Sequence, residues 1–272
     1  MVAEIEVPCF YNDDSMSDKH LGRVERAAAL YDIHGNIYAL KAVLEELRHV
    51  NPDLLIFGGD VAWGPWPKET VDLIRSQETT VAIRGNGDRE VGSRLGESDG
   101  LAPEIAAVNE WAFDQLDGEQ REWLLRLPET VSVEIAGLGE VLFCHGSPRS
   151  DEEMLTHLTA QERLADSLNG VREKLVVCGH THMQFDRVSG DSRVVNAGSI
   201  GLPYEDATGA YWALLGPEVS LRRTEYDVRE TAGAMEQTTC PHVQDFFAAN
   251  VTESGNRTET AEHFESLAQK LV

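Results

Sequence analysis

The sequence has no long apolar run, and its best short runs are residues 27–31 and 54–57 of 272. Because a membrane-spanning helix needs about 20 consecutive apolar residues, the sequence predicts no transmembrane helix. The acidic start, residues 1–6, also lacks the apolar region of a secretory signal. Four cysteines are present without a Cys-x-x-Cys pair: Cys9, Cys144, Cys178 and Cys240. Together these absences predict reduced thiols and a cytoplasmic location.

Positive charge is scarce: 23 Lys and Arg face 47 Asp and Glu, which gives a formal net charge of −24. A surface of this sign opposes binding that depends on phosphate neutralisation, so a nucleic-acid polymer is not an expected partner. The same charge repels a phosphate substrate unless a local cation reverses it. The bias of 5 Lys against 18 Arg is typical of salt-adapted proteins and of GC-rich genomes alike, and the sequence does not separate the two.

Apolar periodicity divides the chain into three parts. Residues 1–23 show no period and are predicted to be a flexible leader, within which Met16 is an alternative start to Met1. Residues 24–227 are predicted to form the main domain, and residues 228–272 a helical C-terminal extension that packs on it or trails from it. In the first third of the chain, strand, loop and helix alternate three times, which predicts a parallel sheet with crossover helices.

Short apolar runs and helical spacing locate the individual elements. The predicted strands are residues 26–31, 54–57, 81–83, 131–135, 140–144, 175–178, 183–188, 192–195, 210–215 and 219–226. The predicted helices are residues 37–49, 69–75, 103–116, 119–127, 160–168, 228–235 and 261–271. Residues 250–260 are polar and are predicted to form a surface linker.

Polar residues follow five of the predicted strands. These segments are Asp32-x-His34, Gly59-Asp60, Gly85-Asn86, His145-Gly146 and Gly179-His180-x-His182. Strand ends in an α/β sheet meet at a common crevice, where ligands bind. Imidazole and carboxylate together suit borderline divalent metals such as Mn, Fe, Zn or Ni. The pattern therefore predicts a metal site at this edge of the sheet.

Each of these segments also has a structural explanation when it is taken alone. Asp32 is a typical N-cap for the helix predicted from residue 37, and Asn86-Gly87 is a common hairpin-turn pair. Cys144-His145 suggests a thiol–imidazole nucleophile. Neighbouring side chains of a strand point to opposite faces, however, so Cys144 is predicted to pack in the core. The joint occurrence of all five segments favours the metal site.

The ordered series of motifs resembles the calcineurin-like metallophosphoesterase superfamily. The matching motifs are Asp32-Ile33-His34-Gly35-Asn36, Gly59-Asp60, Gly85-Asn86-Gly87-Asp88, His145-Gly146 and Gly179-His180-Thr181-His182. The flanking segments 59–65 and 196–203 are similar to its small bacterial and archaeal phosphodiesterase branch, and the resemblance covers residues 25–227. It implies an α/β fold, a four-layer α/β/β/α sandwich with a dinuclear metal centre at the strand ends.

The resemblance also implies a ligand set. One ion would be held by Asp32, His34, Asp60 and His182, and the second by Asp60, Asn86, His145 and His180, with Asp60 bridging the two. Two divalent ions are expected, Mn first, with Fe, Ni or Zn as alternatives. They would hold a bridging hydroxide for in-line attack on the phosphorus of a small phosphate ester. Asp60, Asn86 and Asp88 are the expected catalytic residues.

The sequence departs from the superfamily pattern at Gly87, where many members have His before the Asp. Asp88 therefore lacks an imidazole partner, and a lost general acid typically costs about 10²–10⁴ in rate, most for poor leaving groups. This favours a phosphodiesterase over a serine/threonine protein phosphatase, and a non-catalytic scaffold on the same fold is a further alternative. Arg84, Arg89 and His157 are candidates to contact substrate phosphate, although each is also typical of a solvated surface. The sequence makes no prediction of the oligomeric state.

Overall fold

The computed structural model describes residues 22–269. The predicted leader and Met16 therefore lie outside the described residues, apart from residues 22 and 23. In chain order the strands are β1 Ala27–Leu30, β2 Leu54–Phe57, β3 Thr80–Ala82, β4 Thr130–Ile135, β5 Gly139–Cys144, β6 Leu175–Cys178, β7 Phe185–Ser189, β8 Ser192–Asn196, β9 Ala210–Leu215 and β10 Val219–Thr224.

The helices of the described residues occupy the connections between these strands and the end of the chain. They are α1 Ile37–Val50, α2 Pro67–Arg75, α3 Asn86–Gly92, α4 Pro103–Gln115, α5 Gly118–Arg126, α6 Gln161–Ser167, α7 Val228–Met235, α8 Ala249–Thr252 and α9 Arg257–Ala268. A 3₁₀ turn, Glu97–Asp99, precedes α4, and a π-helical segment, Gln244–Ala248, precedes α8. Within residues 22–269, no helix combines the length and apolarity that crossing a bilayer requires.

The first sheet has the strand order β10-β9-β1-β2-β3, with β1 in the middle. β1 and β2 are parallel, and Leu30 pairs with Phe57 where both strands end. β2 and β3 are also parallel, whereas β9 and β10 run antiparallel to their neighbours. All four residues of β1 are buried, because both faces of this sheet are covered. That is why β1 reads as a continuous apolar run rather than an alternating one.

The second sheet has the order β4-β5-β6-β8-β7 and contains the two predicted hairpins, β4–β5 and β7–β8. β6 lies between the hairpins and is parallel to both β5 and β8. Consequently β1, β2, β5 and β6 end in neighbouring loops, and those loops carry the candidate ligands.

The two sheets pack face to face. Alternate residues of β1 divide between two cores: Ala27 and Ala29 pack with Phe143 between the sheets, and Ala28 and Leu30 pack under the helices of the outer layer. The Tyr31 hydroxyl donates to the carbonyl oxygen of Val177 at 3.0 Å and so links one sheet to the other. A further apolar cluster packs α6 on the second sheet. This arrangement confirms the expected four-layer α/β/β/α sandwich.

One alternative explanation is excluded, and one local expectation was wrong. Asn86-Gly87 does not form a hairpin turn but opens α3, because Gly85 adopts an extended N-cap conformation (φ −93°, ψ 173°) and Asp88 accepts its N–H at 3.1 Å. The linker expected at residues 250–260 is shorter, since α8 extends to Thr252 and Asn256 caps α9. Cys144 packs in the core as expected.

The C-terminal segment, which we define as residues 228–269, packs on the helical layer of the first sheet through α7, the π-helical segment and α8. Met235, Phe247 and Val251 are buried in the same apolar cluster as Trp63 and Trp212. The segment thus covers part of the main core. The domain boundary after residue 227 stays a prediction.

Replacing Phe247, which is 1% exposed, tests this packing. We expect Phe247→Ala to lower the free energy of unfolding by about 3–5 kcal/mol, because it removes a buried ring and leaves a cavity. Val188 is 66% exposed, and Val188→Ala should stay within about 0.5 kcal/mol of the parent. Urea unfolding midpoints measure both changes, and equal midpoints for the two variants would show that the segment is not part of the core.

Candidate metal centre

Five of the seven predicted ligands have left-handed backbone, which is uncommon for residues other than glycine and costs on the order of 1–3 kcal/mol each. They are Asp32 (φ 52°), His34 (φ 48°), Asp60 (φ 52°), His180 (φ 66°) and His182 (φ 56°). Each follows a strand directly or by a few residues. The left-handed turn bends the chain at the strand end and carries the side chain toward the common crevice.

Backbone hydrogen bonds hold these loops together. The N–H of Asp32 donates to the carbonyl oxygen of Gly59 at 3.1 Å, and that of His34 donates to the carbonyl oxygen of Asp60 at 2.9 Å. A Cβ on Gly59 would lie 2.5 Å from the nitrogen of Gly85, so the loops after β2 and β3 meet at a distance that glycine alone permits. The strained residues are therefore fixed by their neighbours.

The structure brings six of the seven predicted ligands into two groups. Asp32, His34 and His182 form one group, and Asp60, His145 and His180 form the other. Within each group the ligand atoms all lie within 4.8 Å of one another. The groups adjoin, since Asp60 Oδ2 lies 3.8 Å from His34 Nε2 and 3.4 Å from His145 Nε2.

Hydrogen bonds fix which ring nitrogen of three histidines faces the centre. Nδ1 of His34 contacts the Trp63 carbonyl oxygen at 3.2 Å, and Nδ1 of His182 contacts that of Leu202 at 2.7 Å. Nδ1 of His145 lies 2.8 Å from the Gly58 carbonyl oxygen. A carbonyl oxygen can only accept, so each Nδ1 carries a proton and Nε2 is the nitrogen that faces the centre. In the neutral ring, that Nε2 presents a lone pair. Metal-binding histidines have this orientation.

Several buried polar atoms of the centre have no hydrogen-bond partner. They are Asp32 Oδ1, Asn86 Oδ1 and His145 Nε2. In addition, Nε2 of His34 and Nε2 of His182 face each other at 3.0 Å. Buried polar groups are normally satisfied, and converging lone pairs repel unless a cation lies between them. The residues present therefore fit two divalent cations.

Opposite charges and burial determine the protonation of this cluster. Burial opposes ionisation, but the charge of His145 holds the pKa of Asp60 well below its usual range. Burial likewise opposes the charged form of His145, but Asp60 outweighs it and raises its pKa to about 10. Burial lowers the pKa of His34 and of His180 to about 4. The centre thus combines ionised carboxylates with imidazoles that are neutral at His34 and His180 and charged at His145, whose proton a bound cation would displace.

Asn86, the seventh predicted ligand, is oriented by a residue that the sequence analysis missed. Its Nδ2 donates to Glu90 Oε1 at 3.2 Å, and Glu90 Oε2 accepts a longer hydrogen bond from Asn109 at 3.5 Å. The amide nitrogen is thereby turned toward Glu90, which leaves Oδ1 available to a cation. The i, i+4 spacing of Asn86 and Glu90 on a helix was the available signal, but α3 had not been predicted.

Asp88 is fully buried, and both of its oxygens accept backbone N–H groups. Oδ1 accepts from Val61 at 2.8 Å and Ala62 at 3.3 Å, and Oδ2 accepts from Gly85 at 3.1 Å. Burial, reinforced by the charge of Asp60, raises the pKa of Asp88 to about 7. These contacts fasten the loop after β2 to the start of α3. They support a positioning role for Asp88, and a direct catalytic role stays a prediction.

The three candidate phosphate contacts are not among the two ligand groups. Arg84 pairs with Glu129 at 2.8 Å. Arg89 pairs with Asp151 at 2.9 Å and also with Glu152 at 2.6 Å. Burial and the nearby charges of Arg257 and Arg187 lower the pKa of His157. Substrate contact by these three residues stays a prediction.

A sequence model of the calcineurin-like phosphoesterase superfamily domain matches residues 26–216. The chain belongs to this superfamily. Similar to it is an uncharacterised protein of Methanocaldococcus jannaschii, 26% identical over 224 residues, which are 75% of this chain and 88% of that protein.

Two solved structures resemble this superfamily member. A hypothetical protein of Pyrococcus horikoshii OT3 has a TM-score of 0.73 at 20% identity, with 83% of this chain and 98% of that chain covered. A metallophosphoesterase of Sphaerobacter thermophilus has a TM-score of 0.67 at 25% identity, with the same coverage of both chains. The first likeness shows the fold alone, and both agree with the sandwich described above. The resemblance stated from the motifs is thus confirmed.

The two ligand groups predict that the chain binds two metal ions, one in each group. We expect the parent chain to bind two divalent ions, and His182→Ala and His180→Ala to bind one each, because each substitution removes an imidazole from one group. His263, an exposed histidine of α9, provides the matched control, and His263→Ala should keep two ions. Metal content after dialysis, measured by elemental mass spectrometry, checks these values. Two ions in either ligand variant would contradict the assignment.

Proposed function

We propose that this chain is a two-metal phosphodiesterase that hydrolyses a small phosphate ester. The observation that carries the proposal is the adjacency of the two ligand groups, joined by the Asp60 carboxylate at 3.8 Å from His34 Nε2 and 3.4 Å from His145 Nε2. Two divalent cations held about 3.5–4 Å apart bind phosphoryl oxygens and lower the pKa of a bound water, which supplies the nucleophile at neutral pH.

The chain's own residues would set the geometry for this reaction. Asp60 Oδ1 accepts the N–H of Gly87 at 2.7 Å, so the carboxylate is fixed and Oδ2 is directed between the groups. Asp32 Oδ2 accepts the N–H of His180 at 2.9 Å, which likewise leaves Oδ1 facing the histidines. Asp60 is the proposed bridging ligand, and Asn86 completes the second set through its unpaired Oδ1.

Local charge reconciles a phosphate substrate with a chain of net charge −24. Two carboxylates facing two bound divalent cations would give the centre a charge of about +2, whereas the acidic exterior repels a long polyanion. Arg84 and Arg89 are paired with acidic side chains and so add little positive charge at the surface. We therefore propose a small substrate. We also propose a cytoplasmic location, and Mn as the first metal to test before Fe, Ni and Zn.

Gly87 favours a diester over a monoester with a poor leaving group. A Cβ at this position would lie 3.0 Å from Asp60 Oδ1, so a side chain here would stand against the metal-binding carboxylate. Glycine places no imidazole there to protonate a departing alkoxide, and the carboxylate of the following Asp88 is occupied by backbone N–H groups. Esters with more acidic leaving groups depend less on that proton.

The central prediction concerns Asp60→Ala. We expect this variant to lose both metal ions and to hydrolyse bis(4-nitrophenyl) phosphate no faster than the reaction without enzyme, because the shared carboxylate is gone. Asp114 is an exposed Asp on α4, and Asp114→Ala should hydrolyse the ester at the parental rate. Full activity of Asp60→Ala would refute the proposal. A parent that binds metal but cleaves no ester would instead support a scaffold, and faster cleavage of a phosphoserine peptide than of the diester would support a protein phosphatase.

A second prediction separates the steric effect of a side chain at position 87 from the proton donation that an imidazole there would provide. Gly87→Ala should slow hydrolysis of all esters, because the added Cβ presses on Asp60. We expect Gly87→His, compared with Gly87→Ala, to gain about 10²-fold on an alkyl phosphate, the lower end of what a general acid contributes, and much less on a nitrophenyl diester. The kcat ratio of the two substrates in each variant is the measurement. An unchanged ratio would mean that the glycine does not select the leaving group.

A further inference from the structure

The C-terminal segment reaches the metal centre through a continuous series of aromatic rings, although it lies outside residues 26–216 matched by the superfamily. In order, the rings belong to Phe247, Trp63, His34, His182, Tyr204 and Phe264. Successive ring centroids are separated by 5.0, 5.5, 4.7, 4.8 and 6.0 Å. Both ends of this ring series are supplied by the C-terminal segment, and its middle is a pair of metal ligands.

The two ends come from different elements of the segment. Phe247 lies on the π-helical segment, and its neighbour Phe246 also packs on Trp63, at 5.8 Å. Phe264 lies on α9 and packs on Tyr204. Trp63 and Tyr204, which contact the two ligand histidines, are therefore each backed by a ring that follows both sheets in the chain.

Polar contacts fix α9 against the main domain. Glu265 accepts hydrogen bonds from the hydroxyls of Thr156 and Thr159 at 2.6 Å each, and pairs with Arg163 at 2.6 Å. At the start of the helix, Arg257 donates to the carbonyl oxygen of Gln184. These contacts anchor α9 and thus hold Phe264 in place next to Tyr204.

Ring packing restricts the tilt of the imidazole rings of His34 and His182. Each ring is anchored at Nδ1 by one hydrogen bond, and that bond leaves the ring free to tilt. Trp63 and His34 form a T-shaped pair with an interplanar angle of 82°, and Tyr204 stacks on His182 at 19°. These contacts oppose the tilt that would separate two Nε2 atoms 3.0 Å apart.

The other ligand group is supported differently. His145 packs on His180, with ring centroids 5.2 Å apart, and its Nδ1 is held by the Gly58 carbonyl oxygen from the loop after β2. The ring contacts that join the C-terminal segment to the centre run through Trp63 and Tyr204, beside His34 and His182. A change in the segment should therefore affect one group and spare the other.

We propose that the C-terminal segment positions His34 and His182 through Trp63 and Tyr204, and thereby sets the metal affinity of the Asp32–His34–His182 group. The inference rests on the metal binding in the proposed function but not on the reaction. Partners that orient metal ligands typically alter metal affinity by about 10–100-fold. We expect the lower end of that range for a residue one ring removed from the ligand.

The test uses Phe264→Ala in the full chain and isothermal titration with Mn²⁺ and Zn²⁺. The parent should show two binding steps, and His182→Ala and His180→Ala identify which step belongs to which group. We expect Phe264→Ala to weaken about tenfold the step that His182→Ala abolishes, and to leave the other step unchanged. Phe264→Tyr, which keeps the ring, should restore parental affinity.

Leu267→Ala is the matched control, because Leu267 is another half-buried apolar residue of α9. It should cost similar thermal stability without changing either binding step. Unchanged binding by Phe264→Ala, or equal weakening of both steps, would overturn the inference. A parent whose titration shows no binding step that depends on His182 would also overturn it. Two-step binding without any ester hydrolysis would refute the proposed phosphodiesterase and leave this inference standing.

Discussion

The structure depends on a single electrostatic constraint, the convergence of buried electron pairs at the ends of four neighbouring strands. Imidazole nitrogens 3.0 Å apart and the carboxylates of Asp32 and Asp60 occupy one water-poor crevice, where unsatisfied polar atoms are costly. Such a cluster is stable only with cations in it or with rigid surroundings that prevent its expansion. The loop-to-loop hydrogen bonds, the glycine at position 59 and the two packed sheets together supply that rigidity.

Backbone strain at the ligands follows from the same constraint. A residue that leaves a strand in an ordinary conformation continues in the strand direction, whereas a left-handed φ turns the side chain across the strand ends. Asp and His tolerate this conformation better than β-branched residues do, so the residue types that bind metal also suit the bend. The strain at five candidate ligands is offset by the sandwich beneath them, whose described strands contain no non-glycine residue with a left-handed φ.

Most of the sheet architecture could be predicted from the sequence, because buried strands read as short apolar runs, as in Leu54–Phe57. The candidate ligands could be predicted from the polar residues that follow those runs and from their resemblance to a known family. Three features could not be predicted from local patterns. α3 was not predicted because Asn86-Gly87 is typical of a turn. Its helical conformation depends on the Asp88 carboxylate, which accepts the N–H of the N-cap residue Gly85. The support of His34 by Trp63 and of His182 by Tyr204 depends on contacts between residues about 20–30 positions apart along the chain, which no periodicity reveals.

Because the C-terminal segment comes last in the chain, it is synthesised after all the other parts of the candidate metal centre. Domains acquire structure as the chain leaves the ribosome, N-terminal parts first. Both sheets and all seven candidate ligands precede residue 228, whereas the rings that pack behind Trp63 and Tyr204 belong to Phe247 and Phe264. A growing chain therefore contains all the candidate ligands before it contains the residues that we propose to position two of them. If the C-terminal segment positions His34 and His182 as proposed, full metal affinity of the Asp32–His34–His182 group is reached only after α9 has packed on the domain.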